Sequence, residues 1–90
     1  MNKGDLIEAV SGETGLSRND ATRAVDSVIT AITKALNEGT QVSLVGVGTF
    51  VVKKRAARTG RNPRTGEAIE IRESRVPGFR AGKALKDAVN

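Results

Sequence analysis

Residues 46–76 read GVGTFVVKKRAARTGRNPRTGEAIEIRESRV, and the fold turns on where the large apolar residues in this stretch stop. Phe50, Val51 and Val52 suit a strand against a core, but from Lys53 to Thr59 no face is apolar enough to be buried. A strand that continues there must leave the body as a ribbon. Gly60-Arg61-Asn62-Pro63-Arg64-Thr65-Gly66 has the turn chemistry of a hairpin tip, and Glu67 to Val76 returns with Ile69 and Ile71 on one face. The reading predicts a two-stranded arm over residues 53–75, with about ten residues per strand and a reach of roughly 33 Å.

On the N-terminal side, Val42 and Leu44 alternate with Gln41 and Ser43, and Gly46-Val47-Gly48 allows a tight turn into the strand that begins at Thr49. Helix signals precede this hairpin. Asn2 is an N-cap with Asp5 three residues on, so a first helix runs to about Glu13 and Gly15 ends it. Ser17 followed by Asp20 starts a second, whose Ala21, Ala24, Val25, Val28, Ile29, Ile32, Ala35 and Leu36 recur at spacings of three and four until Gly39. Beyond the arm, Pro77-Gly78 closes the return strand, Phe79 re-enters the core, and Ala81 to Val89 forms a short amphipathic helix. The expected fold is α+β in a single domain, 1–90. Two N-terminal helices form a base, and an antiparallel sheet carries a protruding β-ribbon before a short C-terminal helix. The body is 1–52 with 76–90.

Ninety residues with 38% hydrophobic side chains can fold, but Phe50 and Phe79 are the only aromatic rings. A core of small aliphatics from so short a chain is marginal alone. A second chain is the expected remedy, with Val28, Ile29, Ile32, Leu36, Leu44, Val47, Phe50 and Phe79 as dimer core. The absence of Cys and His removes disulfides, thiolate sites, imidazole bases and most metal chemistry, so no catalytic residue, metal or cofactor is expected. No stretch approaches the roughly 18 apolar residues of a membrane span. The reading is of a soluble protein of bacterial cytoplasmic type with no membrane partner.

The net charge of +5 is unevenly distributed. Residues 1–45 carry four basic side chains against six acids, and residues 46–90 carry eleven against four. Lys53, Lys54, Arg55, Arg58, Arg61 and Arg64 fall without an intervening acid, a footprint suited to a polyanion. Lys-rich edges also protect sheets from aggregation, but that needs fewer cations than these, and a two-stranded ribbon fits a nucleic-acid groove. Pro63 can simply fix φ in the turn. Flanked by Arg61, Asn62 and Arg64, its apolar ring also has the setting of a wedge between base pairs.

Other motifs carry less. Gly46-Val47-Gly48 lacks the third glycine and the following helix of a dinucleotide fingerprint, and no Lys-Ser/Thr pair follows Gly66 as a nucleotide-phosphate loop requires. The starts of the first and last helices, at Asn2-Lys3 and at Gly82-Lys83, offer free N–H groups to phosphates.

Residues 46–71 resemble the signature of the bacterial histone-like HU/IHF family of DNA-bending proteins. The resemblance extends through MNKGDLIEAV and VPGFRAGKALKDAVN to essentially the whole chain, with an ending similar to the HU branch. It implies an intertwined homodimer, with a heterodimer with a paralogue as the alternative, whose two arms wrap double-stranded DNA in the minor groove and favour bent, nicked or gapped sites. It further implies nucleoid compaction in the cytoplasm. By the family's pattern, Lys53, Arg55, Arg58, Arg61, Asn62, Arg64 and Thr65 are arm contacts and Pro63 intercalates. Lys3, Gly46, Gly48, Arg80, Gly82, Lys83 and Lys86 meet phosphates from the body.

The chain departs from the pattern at Val47, where family members usually carry Phe. Val47→Phe is therefore expected to fill the core and raise the melting temperature, and an unchanged or lower value in a thermal melt counts against this. Two other readings fit the residues. A sequence-selective IHF-like subunit would bend one defined site, and an interaction module would bind acidic proteins, RNA or anionic cell-surface polymers by charge alone.

Overall fold

A computed structural model describes all 90 residues, which form two compact units, Met1–Ala35 and Leu36–Asn90. The element order is α1 (Lys3–Thr14), α2 (Arg18–Asn37), β1 (Val42–Leu44), β2 (Gly48–Arg55), β3 (Arg58–Arg61), β4 (Ala68–Ile71), β5 (Ser74–Ala81) and α3 (Lys83–Ala88).

In the first unit the helix ends lie where the capping residues put them. The Asn2 side chain accepts from the Asp5 N–H at 2.9 Å, and Asp5 accepts from the Asn2 N–H at 3.0 Å, closing a reciprocal capping box of the kind that contributes about 1 kcal/mol. Gly15 terminates α1 at φ 76°. Ser17 Oγ then accepts from the Asp20 N–H at 3.1 Å to start α2. The two helices bury Ile7 against Ala21 and Val25, with Val10 packed alongside. The stripe does not end there. Leu6, Val10, Ala24, Val25, Val28 and Ile29 line an open apolar groove, and Leu6, Val28 and Ile29 remain exposed.

The second unit begins with the end of α2 at Asn37, followed by a turn in which Gly39 takes φ 81° and sets its N–H on the Leu36 carbonyl at 3.0 Å. A three-stranded antiparallel sheet follows in the order β1-β2-β5. The tight turn spans Val45-Gly46-Val47 rather than Gly46-Val47-Gly48. The Val47 N–H donates to the Leu44 carbonyl at 3.0 Å, Gly46 takes the positive φ of 82°, and Gly48 already belongs to β2.

Two further expectations are corrected. Pro77-Gly78 does not close the return strand, because β5 runs on to Ala81 with Pro77 opposite Val52. A strand tolerates proline when, like β5, it lies at a sheet edge and needs no donor on its outer side. The arm strands are not continuous either. β2 stops at Arg55 and β3 starts at Arg58, while β4 stops at Ile71 and β5 starts at Ser74. Two residues are skipped on each strand, so the distal hairpin keeps the register of the proximal ribbon. Ala56 and Ala57 have low strand propensity and offer no cross-strand contact area to hold the pairing there.

Candidate nucleic-acid interface

Strand alternation sorts the cations of the ribbon. Beyond Phe50, β2 pairs only with β5, in the register Lys53↔Val76, Lys54↔Arg75 and Arg55↔Ser74. Successive side chains point to opposite faces, so Lys53 and Arg55 share one face with Thr49, Val51 and Arg80, and Lys54 and Arg75 share the other with Phe50, Val52 and Phe79. On the second face both cations are engaged by protein groups. Lys54 Nζ lies 3.0 Å from Glu73 Oε1, and Arg75 Nη1 donates to the Asn37 carbonyl at 2.9 Å. On the first face Lys53, Arg55 and Arg80 have no acidic partner.

The distal hairpin divides its charge differently. Arg58↔Ile71 and Gly60↔Ile69 set Arg58 beside the two isoleucines, while Thr59↔Glu70 and Arg61↔Ala68 set Arg61 on the opposite face. Neither arginine has an acidic partner within ion-pair distance. Gly60 makes room for its neighbour, since a Cβ there would lie 3.0 Å from Ile71 Cδ1. A cation on each face suits an arm flanked by phosphates on both sides, as in a groove.

The tip is held by its own polar groups. Asn62 Oδ1 accepts from the Arg64 N–H at 2.9 Å, the Asn62 carbonyl accepts from Gly66 N–H at 2.8 Å, and the Asn62 N–H donates to the Glu67 carbonyl at 2.9 Å. Thr65 Oγ1 accepts from the Glu67 N–H at 3.3 Å. The effect is to present Pro63 and Arg64 outward on an ordered turn, with Gly66 at φ 74° reversing the chain. Asn62 thus shapes the tip, a role its place in an Asx-turn motif carries in the sequence.

The body positions are less open than the sequence suggests. The Gly82 N–H, expected to be free, donates to the Val47 carbonyl at 2.9 Å. Gly48 is buried, and a Cβ there would meet the ring of Phe79. Lys3 pairs with Asp26, and Lys83 Nζ sits 3.9 Å from Asp87 Oδ2. Gly46, Arg80 and Lys86 are exposed, and Arg80 and Lys86 have no acidic partner. Of the expected dimer core, Phe50 and Phe79 pack on each other with ring centroids 4.8 Å apart, but Phe79, Val28, Ile29, Leu44 and Val47 are exposed, and Ile32, Leu36 and Phe50 are half-buried.

The chain matches the family model described as bacterial DNA-binding protein over residues 1–90. It is 60% identical over 89 residues to the DNA-binding protein HU of Geobacillus stearothermophilus, covering 99% of each chain. It is 57% identical over 90 residues to the DNA-binding protein HU-beta of Escherichia coli K12, covering all of both. Among solved structures, the HU of an Anabaena HU–DNA cocrystal superposes with a TM-score of 0.89 at 40% identity, covering 99% of this chain and 97% of that one. HU from Thermotoga maritima superposes with a TM-score of 0.73 at 32% identity over all of both chains.

Proposed function

The chain belongs to the bacterial DNA-binding protein family, among the HU proteins, and on that premise we propose that it is a dimeric architectural protein that binds double-stranded DNA with little regard to sequence and bends it. It is not an enzyme; its work is nucleoid organisation, in the cytoplasm. The observation that carries the reading is the sorting of cations by face. Lys53, Arg55, Arg58, Arg61 and Arg64 keep their charge for a ligand, while Lys54 and Arg75 serve the protein.

Dimerisation follows from burial. Only Ile7, Ala21, Val25 and Val51 are buried apolar residues, no large side chain is fully enclosed, and Leu6, Val28, Ile29, Leu44, Val47 and Phe79 remain uncovered. Four small buried side chains cannot offset the conformational entropy of 90 residues, and a second copy supplies the missing cover. A homodimer suffices for this, and a paralogue with the same faces could take the same place.

On DNA, the arms enter the minor groove. Their arginines respond to groove width and potential, because that groove distinguishes little beyond A·T from G·C. Pro63 at each tip inserts between base pairs and unstacks a step. Kinks of roughly 20–90° belong to this mode of binding, of which HU and IHF are themselves the standard examples. Arg80, Lys86, Lys3 and Lys83 reach phosphates from the body, the last two by exchanging exposed ion pairs worth at most about 1 kcal/mol each.

The test is a titration, at fixed moderate salt, of the dimer against one short duplex, intact and then with a central nick or gap. Both forms carry nearly the same phosphates. Because bending an intact site costs on the order of 1–6 kcal/mol, binding to the interrupted duplex is expected to be tenfold tighter or more. Equal affinity would leave charge alone as the cause of binding and remove the bending. Pro63→Ala is expected to reduce the bend angle, read by end-to-end energy transfer, far more than it reduces affinity.

A further inference from the structure

We propose that Arg75, although it lies among the basic residues of the ribbon, is a positioning residue for DNA bending and not a phosphate ligand. The inference rests on the architectural reading above. Arg75 is the second residue of β5, at the root of the two-stranded arm, opposite Lys54. Its Nη1 donates to the backbone carbonyl of Asn37 at 2.9 Å, and Nη2 makes a longer contact with Asn37 Oδ1 at 3.5 Å, joining groups 38 residues apart.

The acceptor explains the choice of a cation. Asn37 is the last residue of α2, where carbonyls have no partner one turn on and the helix dipole places partial negative charge. The neighbouring Leu36 carbonyl is capped by the Gly39 N–H, while Asn37 accepts from the arginine. A planar guanidinium can engage both Asn37 oxygens at once, which an ammonium cannot do with the same geometry. Lys54, its cross-strand neighbour, is likewise held, by Glu73.

Both cations on this face of the ribbon root therefore brace the proximal ribbon just before the pairing lapses at residues 56–57 and 72–73. With the root fixed to the end of α2, the direction in which the arm leaves the sheet is set before DNA arrives. A kink in the duplex then works against a stiff base. Without this contact the arm can follow straight DNA as readily as bent DNA.

The experiment compares full-length wild type, Arg75→Ala and Arg75→Gln. For each, the ratio of affinities for nicked over intact duplex is measured, together with the slope of log affinity against log salt on intact duplex. Arg75→Ala is expected to lose about fivefold of the nicked-over-intact preference, as a weak exposed charge-assisted hydrogen bond would dictate, with the slope unchanged. Arg75→Gln, which can still donate to the Asn37 carbonyl, should retain more of the preference.

A fall in slope of about 0.9 for each protomer's lost cation would identify Arg75 as a phosphate ligand and overturn the proposal. An Arg75→Ala protein indistinguishable from wild type in both measurements overturns it as well. So does loss of the folded state, read by thermal melting, in both variants. Should wild type itself show no preference for the nicked duplex, it is the bending reading that fails, independently of either variant.

Discussion

Between 50 and 200 mM salt, the affinity of the dimer for a short intact duplex is expected to fall by about 10³- to 10⁵-fold, which is the loss that accompanies the neutralisation of roughly 6 to 10 phosphates. The estimate follows from which cations are free. Each protomer's ribbon and tip present Lys53, Arg55, Arg58, Arg61, Arg64 and Arg72 without an acidic partner, so two arms supply twelve charges before the body adds any. Not all of them reach phosphates when several line the floor of a groove, which brings the number toward the stated range. Lys54 is left out of this count because, like Lys3 and Lys83, it reaches a phosphate only by exchanging an exposed ion pair, here with Glu73. Competition binding at four or five salt concentrations measures the slope directly. A flat dependence would sink the electrostatic account, and a slope set by only one or two phosphates would remove the arms as the source of affinity.

Gly48→Ala is expected to cost about 3 kcal/mol or more of stability, lowering the melting temperature by about 10 °C or more. Gly48 has a φ of 154°, and an added Cβ would lie 2.3 Å from the Arg80 carbonyl oxygen and 2.7 Å from Phe79 Cζ. Neither can yield easily. The carbonyl belongs to β5, which is paired with β2 along eight positions, and the Phe79 ring is packed on Phe50. Pushing either aside opens the sheet at the aromatic pair that the second unit depends on. The contrast is Gly12→Ala in α1, where an added methyl meets nothing within 4 Å. There the lower chain entropy and better helix propensity of Ala should raise stability by about 0.5–1 kcal/mol. Thermal melts of the two variants against wild type check both signs, and a Gly48→Ala protein that melts with wild type would refute the close approach.

Much of this molecule is legible residue by residue. The ends of α1 and the start of α2 follow from Asn2 with Asp5, Gly15, and Ser17 with Asp20, because a cap acts within three or four residues of itself. The arm is legible from the loss of large apolar side chains after Val52, its tip from Asn62-Pro63 and Gly66, and its ligand class from cations in one run. The need for a second chain can be read from two aromatic rings in 90 residues, and the exposed Val28, Ile29 and Phe79 express the same shortage in three dimensions.

What the linear order could not decide is which of those charges are available. Lys53 and Lys54 are adjacent and chemically identical, yet strand pairing puts one beside Val76 with no acid within ion-pair distance and the other 3.0 Å from Glu73. Arg75 reads as one more cation until the tertiary structure brings it to Asn37. The lapse in pairing at Ala56-Ala57, the passage of β5 through Pro77 and the closed contact over Gly48 depend in the same way on what lies across the sheet. Capping, turn chemistry and apolar periodicity are local forces, so the helices, the presence of an arm and its overall charge could be read from the chain, while the exact extent of its strands could not. The register between distant strands and the contacts across it are set by chain closure over tens of residues, so which cations stay without an acidic partner and which are engaged by Glu73 or Asn37 can be seen only in three dimensions.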